Sequence, residues 1–178
     1  ERIAALRAEL KRRGLAGFLA PHADEYQGEY LPPRAERISW ITGFTGSAGA
    51  AAVLADKAAL FTDGRYTLQA RAQADAGSYE LRHIGDEPLG DWLAAALKPG
   101  QRLGYDPWLH TASAIERLQQ SIAKTGAELV AVESNPLDAV WSAQPPPPLS
   151  PAVPHPLQYS GRDSAAKREE IATRLAAE

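Results

Sequence analysis

Two residue types are missing from this chain altogether, cysteine and methionine. Without cysteine there are no disulfides, no thiolate nucleophile and no thiolate metal ligand. A reducing compartment fits that absence. The chain opens on Glu1 and holds no methionine, so it reads as processed or as an excerpt of something longer. Aromatics are sparse at 7%. No apolar run approaches the roughly 18 residues that a membrane-spanning helix needs. Arg2, Arg7 and the run Lys11 to Arg13 break up the N-terminal apolar residues, so no signal peptide is visible. The net charge of −3 gives no reason to expect a nucleic acid or an anionic membrane as partner.

What is present is ordinary globular composition, 44% hydrophobic and 23% charged over 178 residues, enough to bury a core. Ile3, Leu6 and Leu10 share one helical face, and Gly14 is a stop. Leu15 to Ala20 reads as a buried strand ending at Pro21, and His22 to Arg37 as loop. Ile38, Trp40 and Ile41 read as an apolar turn. Ala48 to Leu54 and Ala58 to Phe61 are apolar runs three residues apart, which predicts an antiparallel hairpin. Arg65 to Ala74 is expected to be helical with Asp63 as N-cap. Tyr79 to Ile84 is expected as strand, Pro88 to Leu97 as helix and Arg102 to Tyr105 as strand. Ser113 to Glu116 forms a capping box opening a helix with Ile115, Leu118 and Ile122 on one face, closed by Gly126. Leu129 to Val132 closes the unit. Strands alternating with helices, plus a hairpin, predict an α/β fold: a mixed central β-sheet flanked by helices on both faces.

Composition then breaks. Gln144 to Pro156 carries seven prolines, which remove backbone donors and favour an extended, semi-rigid connector. Ser164 to Glu178 is again amphipathic helix, with Ile171 and Leu175 on one face. The expected organisation is an α/β domain over 1–143, a proline-rich linker over 144–157 and the start of a second, truncated domain over 158–178.

Gly43, Gly46 and Gly49 recur at three-residue spacing before the hairpin. Their spacing matches neither common phosphate-binding fingerprint, the loop lysine is missing and a strand follows. Tight backbone packing at the turn is the simpler reading. Ser47 stands in Thr45-Gly-Ser-Ala-Gly49, one glycine short of a nucleophile elbow and without its strand-to-helix setting. The histidines His22, His83, His110 and His155 have no metal-ligand register. His22, Asp24, Glu25 and Glu29 supply oxygen and imidazole ligands, though a solvated acidic loop needs less to be arranged. Arg65 follows a strand at a helix start, where a guanidinium clamps a carboxylate with two hydrogen bonds or forms a structural ion pair. Trp40, Trp92, Trp108 and Trp141 read as packing.

Several of these residues also fall into a longer order. Asp24-x-x-x-x-Glu29-Tyr30 is followed by Arg37-x-x-Trp40-Ile-x-Gly-Phe-Thr-Gly-Ser-Ala-Gly49, then Phe61-Thr-Asp-Gly-Arg-Tyr-x-Leu-Gln-Ala70, then Asn135-Pro-Leu-Asp-x-Val-Trp141. That order and spacing, over residues 1 to about 160, resembles the N-terminal domain of the three-domain Xaa-Pro aminopeptidases (aminopeptidase P). Tyr159-Ser-Gly and Ser164-Ala-Ala-Lys-Arg168 resemble the entry to that family's second domain. The resemblance implies the creatinase N-terminal fold, in a cytoplasmic hydrolase that removes the residue preceding proline from peptides. It implies two divalent metal ions, usually manganese, in a C-terminal catalytic domain whose ligands are two Asp, one His and two Glu. None of those motifs occurs here, so no catalytic residue, metal ligand or cofactor is expected in this chain, which alone should be inactive. The expected role is an accessory domain serving oligomerisation and active-site access. Its partners are the second and catalytic domains, further copies of the full protein and proline-containing peptides. The residues expected at the surface facing the active-site cavity are Arg65, Asp63 and Tyr66, with His22, Asp24 and Glu29. Two alternatives remain open at this point: a free-standing interaction module, and a hydrolase using Ser47.

Overall fold

A computed structural model of the chain describes residues 1–177. It divides into two units, Glu1–Pro147 and Pro148–Glu178.

In the first unit the elements follow one another as α1 (Arg2–Arg12), β1 (Gly17–Pro21), α2 (Arg37–Thr42), β2 (Ala50–Leu54), β3 (Ala58–Thr62) and α3 (Thr67–Gln73). Then come β4 (Glu80–His83), α4 (Leu89–Ala96), β5 (Arg102–Tyr105), α5 (Ala112–Ile122), β6 (Glu128–Ala131) and α6 (Pro136–Val140). The six strands form one sheet in the order β4-β3-β2-β1-β5-β6. The pairs β1–β2 and β2–β3 are antiparallel, and β1–β5, β3–β4 and β5–β6 are parallel. The sheet is therefore mixed, as the hairpin required.

Side-chain alternation divides the core between the two faces. Phe18, Ala20, Ala51, Val53, Ala58 and Leu60 pack with Leu6 and Leu10 of α1, Ile38 and Ile41 of α2, Ala70 of α3 and Leu137 of α6. Leu19, Ala52, Leu54, Ala59, Phe61 and Leu103 pack with Trp92 and Leu93 of α4 and Ile122 of α5. Each strand residue thus sends its side chain to the face opposite its neighbour's. Burial on both faces explains why the central strands read as continuous apolar runs.

Four expectations are corrected. Ile38 to Ile41 is helix α2, not a turn. Thr42 Oγ1 donates to Ile38 O at 2.8 Å, and Tyr79 Oη donates to Ile41 O at 2.9 Å. The second satisfies a carbonyl that the end of a six-residue helix leaves open, and the first ties the Thr42 side chain back onto the preceding turn. Asp63 does not cap α3, which starts after Tyr66 without a side-chain cap. The cap of α5 is Thr111, whose hydroxyl accepts from Ala114 N, so the box at Ser113 is two residues late. Trp108 is 75% exposed and is not a packing residue. By contrast Trp92 is buried and Trp40 stacks on Trp141 at 5.2 Å.

The second unit holds α7 (Leu157–Ser160) and α8 (Ser164–Ala177). The helix expected over Ser164 to Glu178 is found as far as Ala177, and Glu178 lies outside the described residues. Asp163 Oδ1 accepts from Ala166 N, and Glu170 pairs with Arg174 at 2.6 Å. Ile171 and Leu175 are exposed.

Candidate functional site

The strand directions gather three loops at one end of the sheet. Residues 22–30 leave the end of β1, residues 43–49 enter β2, and residues 63–66 leave the end of β3. The β1–β2 register pairs Pro21 with Ala50, and His22 N donates to Gly49 O at 3.0 Å, extending that ladder by one step. Thr62 Oγ1 donates to Ala48 O, tying the third loop to the second.

The glycine loop is built for close packing. Gly43 holds φ at +83° as the left-handed C-cap of α2, and a Cβ there would meet Gln73 O at 2.9 Å. A Cβ on Gly46 would sit 2.2 Å from Phe44 Cζ and 2.8 Å from Tyr66 Cδ1. Phe44 and Tyr66 meet edge to face at 5.8 Å. Ser47 Oγ and Tyr66 Oη share a hydrogen bond of 2.7 Å. No histidine is among the hydrogen-bond partners of Ser47 within the described residues.

Arg65 is engaged by its own turn. Its Nε lies 3.1 Å from Asp63 Oδ1 and its Nη2 2.8 Å from Asp63 Oδ2, and Asp63 Oδ1 also accepts from Arg65 N. This two-pronged pair holds the Asp63 carboxyl below its ordinary range, chiefly through the Arg65 guanidinium. The same carboxylate raises the Arg65 guanidinium further, with a smaller contribution from the charge of Glu29. The guanidinium lies 5.1 Å from the centre of the Tyr66 ring. Arg65 therefore presents a partly neutralised, exposed cation above an aromatic ring rather than a free clamp.

Arg65, Asp63, Tyr66 and Ser47 thus form one connected group, with Glu29 in its field. Asp24 goes elsewhere. It is only 4% exposed, and its Oδ1 accepts from Tyr26 N at 3.0 Å and Gly28 N at 2.9 Å. It folds the loop around itself, with Gln27 at φ +55°. His22 is half-buried, and no hydrogen bond joins it to the Arg65 group among the described residues. Around these loops Tyr26, Tyr30 and Leu68 are largely exposed.

Three polar links escape sequence reading. Arg37 forks onto Asp138, Nε to Oδ1 at 2.7 Å and Nη2 to Oδ2 at 2.8 Å, with Gln144 Nε2 donating to the same Oδ1. Asp106 Oδ2 accepts from Asn135 Nδ2 at 2.9 Å, and both residues are buried. Tyr79 is the third, through Ile41. The first two lie within or beside the quoted motifs, but their partners stand 101 and 29 positions apart.

Among the described residues no group of three or more His, Cys, Asp or Glu side chains could hold a metal ion. No helix among them is long and apolar enough to cross a membrane.

Similarity to known proteins agrees with this architecture. Over 158 residues the chain is 41% identical to aminopeptidase P2 of Arabidopsis thaliana, covering 86% of this chain and 22% of that protein. It is 42% identical over 181 residues to the probable Xaa-Pro aminopeptidase P of Chaetomium globosum, covering 98% and 29%. The chain spans between 22% and 29% of the length of such curated relatives. Its fold is similar to the crystal structure of X-prolyl aminopeptidase from Caenorhabditis elegans, a cytosolic enzyme with a di-nuclear active site. That match has a TM-score of 0.83 at 28% identity and covers 99% of this chain and 31% of that one. The N-terminal domain of the cytoplasmic peptidase PepQ from Mycobacterium tuberculosis H37Rv matches with a TM-score of 0.59 at 27% identity, covering 78% and 97%. Residues 2–140 match the model of the Creatinase/Prolidase N-terminal domain, and the chain belongs to that family.

Proposed function

We propose that this chain is the non-catalytic N-terminal accessory domain of a metal-dependent Xaa-Pro aminopeptidase. In this reading residues 1–143 form the accessory domain, 144–157 the linker and 158–178 the opening of a second domain. The catalytic domain carries two divalent metal ions, manganese by preference, and cleaves proline-containing peptides in the cytoplasm. The accessory domain shapes access to that site and contributes to oligomerisation.

The observation that carries the reading is the match to the C. elegans enzyme across 99% of this chain but only 31% of that protein. Such coverage fits one part of a larger peptidase. A hydrolase built on Ser47 lacks support, because among the described residues its hydroxyl is hydrogen-bonded to the Tyr66 hydroxyl and to no histidine or carboxylate.

Within this role the loop-bearing end of the sheet is the surface that meets the active-site cavity. Arg65, set by Asp63 above Tyr66, offers a cation to the peptide or to the facing domain. Glu29 acts on it through its charge, His22 stands at the start of the neighbouring loop, and Asp24 keeps that loop in shape. The test is Arg65→Ala in the intact protein. We expect kcat/KM for Xaa-Pro peptides to fall by about tenfold, roughly 1.4 kcal/mol of transition-state binding, with the metal content unchanged. Unchanged kinetics together with an unchanged oligomer size would remove Arg65 from this surface.

A further inference from the structure

At the opposite end of the sheet, where β1 and β5 begin, lies a cleft of about 580 Å³. It is bounded by the end of α1, the turn at Gly14, the start of the β2–β3 turn at Ala55 and the turn at Gly100. Three cationic side chains, Arg7, Lys11 and Arg102, line it, and no carboxylate does.

What sets the cleft apart is that its three cations share one concavity with no acid among its lining residues. Several arginines elsewhere stand beside acids, Arg12 and Arg13 with Glu9, Arg37 with Asp138, Arg65 with Asp63, Arg82 with Glu80, while others, such as Arg71 and Arg117, are unpaired among the described residues. Among the described residues Arg7, Lys11 and Arg102 have no ion-pair partner. Glu128 stands opposite Arg102 in the β5–β6 register and still makes no ion pair with it.

The charged and polar side chains of the cleft are also richer in donors than in acceptors. Arg7 spends only its Nε, on Leu54 O at 2.8 Å, which leaves both of its terminal nitrogens. Gln101 accepts at Oε1 from Lys98 N at 2.8 Å, which leaves its Nε2 donor. The carbonyls of Lys11 and Arg102 already accept from Gly14 N and Ala16 N. What the lining side chains leave unspent is a set of N–H groups on three cations and one amide. Their chemical complement is an oxyanion with several acceptor oxygens, met by charge-assisted hydrogen bonds. Like-charged side chains around one concavity also concentrate counter-ions there.

We propose that this cleft is a binding site for a small multivalent oxyanion, a phosphate-bearing ligand, held by Arg7, Lys11 and Arg102 with Gln101. The site is separate from the loop-bearing end and does not depend on the role proposed for it.

The probe is inorganic pyrophosphate, titrated calorimetrically into the intact chain at low ionic strength, where screening is weakest. The expected result is one saturable site per chain, weakened tenfold or more in the Lys11→Gln/Arg102→Gln variant. The charge-matched Arg117→Gln/Lys124→Gln variant, changed at exposed positions that do not line the cleft, is expected to bind as the unaltered chain does. No saturable binding would overturn the proposal, as would equal weakening in both variants or undiminished binding in the first. Amide shifts keep the test open should the first variant fail to fold. On adding pyrophosphate to the unaltered chain, the Gly14 and Gly100 amides are expected to move. Shifts confined to other regions, or reproduced by sodium chloride at the same ionic strength, would overturn the proposal.

Discussion

Glu9 shows how a single side chain ties local charge to stability. It sits on α1 between Arg12 and Arg13 and accepts from both, at 2.7 and 2.6 Å. Those hydrogen bonds, Arg12's first, lower its pKa from 4.5 to about 2. A depressed carboxylate stabilises the fold above its unfolded value, and that contribution is lost as pH falls from 4.5 through about 2. Glu9→Gln should therefore cost about 1 kcal/mol at pH 7, discounted for solvent screening. The cost should shrink toward zero near pH 2. Urea denaturation of both proteins at several pH values reads this directly. A cost that stays constant with pH would contradict it. Burial acts on Tyr79 in the other direction, pushing its hydroxyl up to about 12 while it donates to Ile41 O. Neither effect is legible in sequence, because each depends on which side chains the fold brings alongside.

At the scale of elements, the shortest helices depend on distant partners. Helix α2 has six residues and is held by the Arg37 fork to Asp138, which also fixes α6 and Gln144. The Arg37 side chain is 9% exposed and that of Asp138 24%. Removing one member of such a buried pair leaves the other uncompensated, so Arg37→Ala should destabilise the first unit by about 3 kcal/mol. The midpoint of urea unfolding measures it. A loss below about 1 kcal/mol would place the pair among surface bridges instead. This dependence explains which elements could be read in advance. The β2–β3 hairpin, β5 and the α1 face follow from local pattern, because apolar runs and periodicity are written in neighbouring residues. Helix α2 looked like a turn because Arg37-Ile-Ser-Trp-Ile-Thr is short and β-branched, while its support comes from Asp138 and Tyr79. The α5 cap was misplaced by two residues because Thr111 and Ser113 both satisfy the N-cap preference and only geometry separates them.

For the whole molecule, the mixed sheet and its two helical layers were legible, since strand–helix alternation and one hairpin leave few other arrangements. The site was legible only in part. Asp63, Arg65 and Tyr66 stand together because they are neighbours in the chain, whereas the Ser47–Tyr66 bond and the inward turn of Asp24 required the fold. The loop-bearing end gathers polar groups yet assembles no nucleophile–base pair at Ser47 and no metal-binding cluster among the described residues. We propose, on the family match and its partial coverage, that this chain serves the chemistry of a peptidase without performing it. The most direct test compares the isolated 178-residue chain with the intact protein for Xaa-Pro hydrolysis and bound manganese. The account predicts chelator-sensitive turnover by the intact protein, and neither turnover nor stoichiometric manganese in the isolated chain. Chelator-sensitive cleavage of Xaa-Pro peptides by the isolated chain would contradict it.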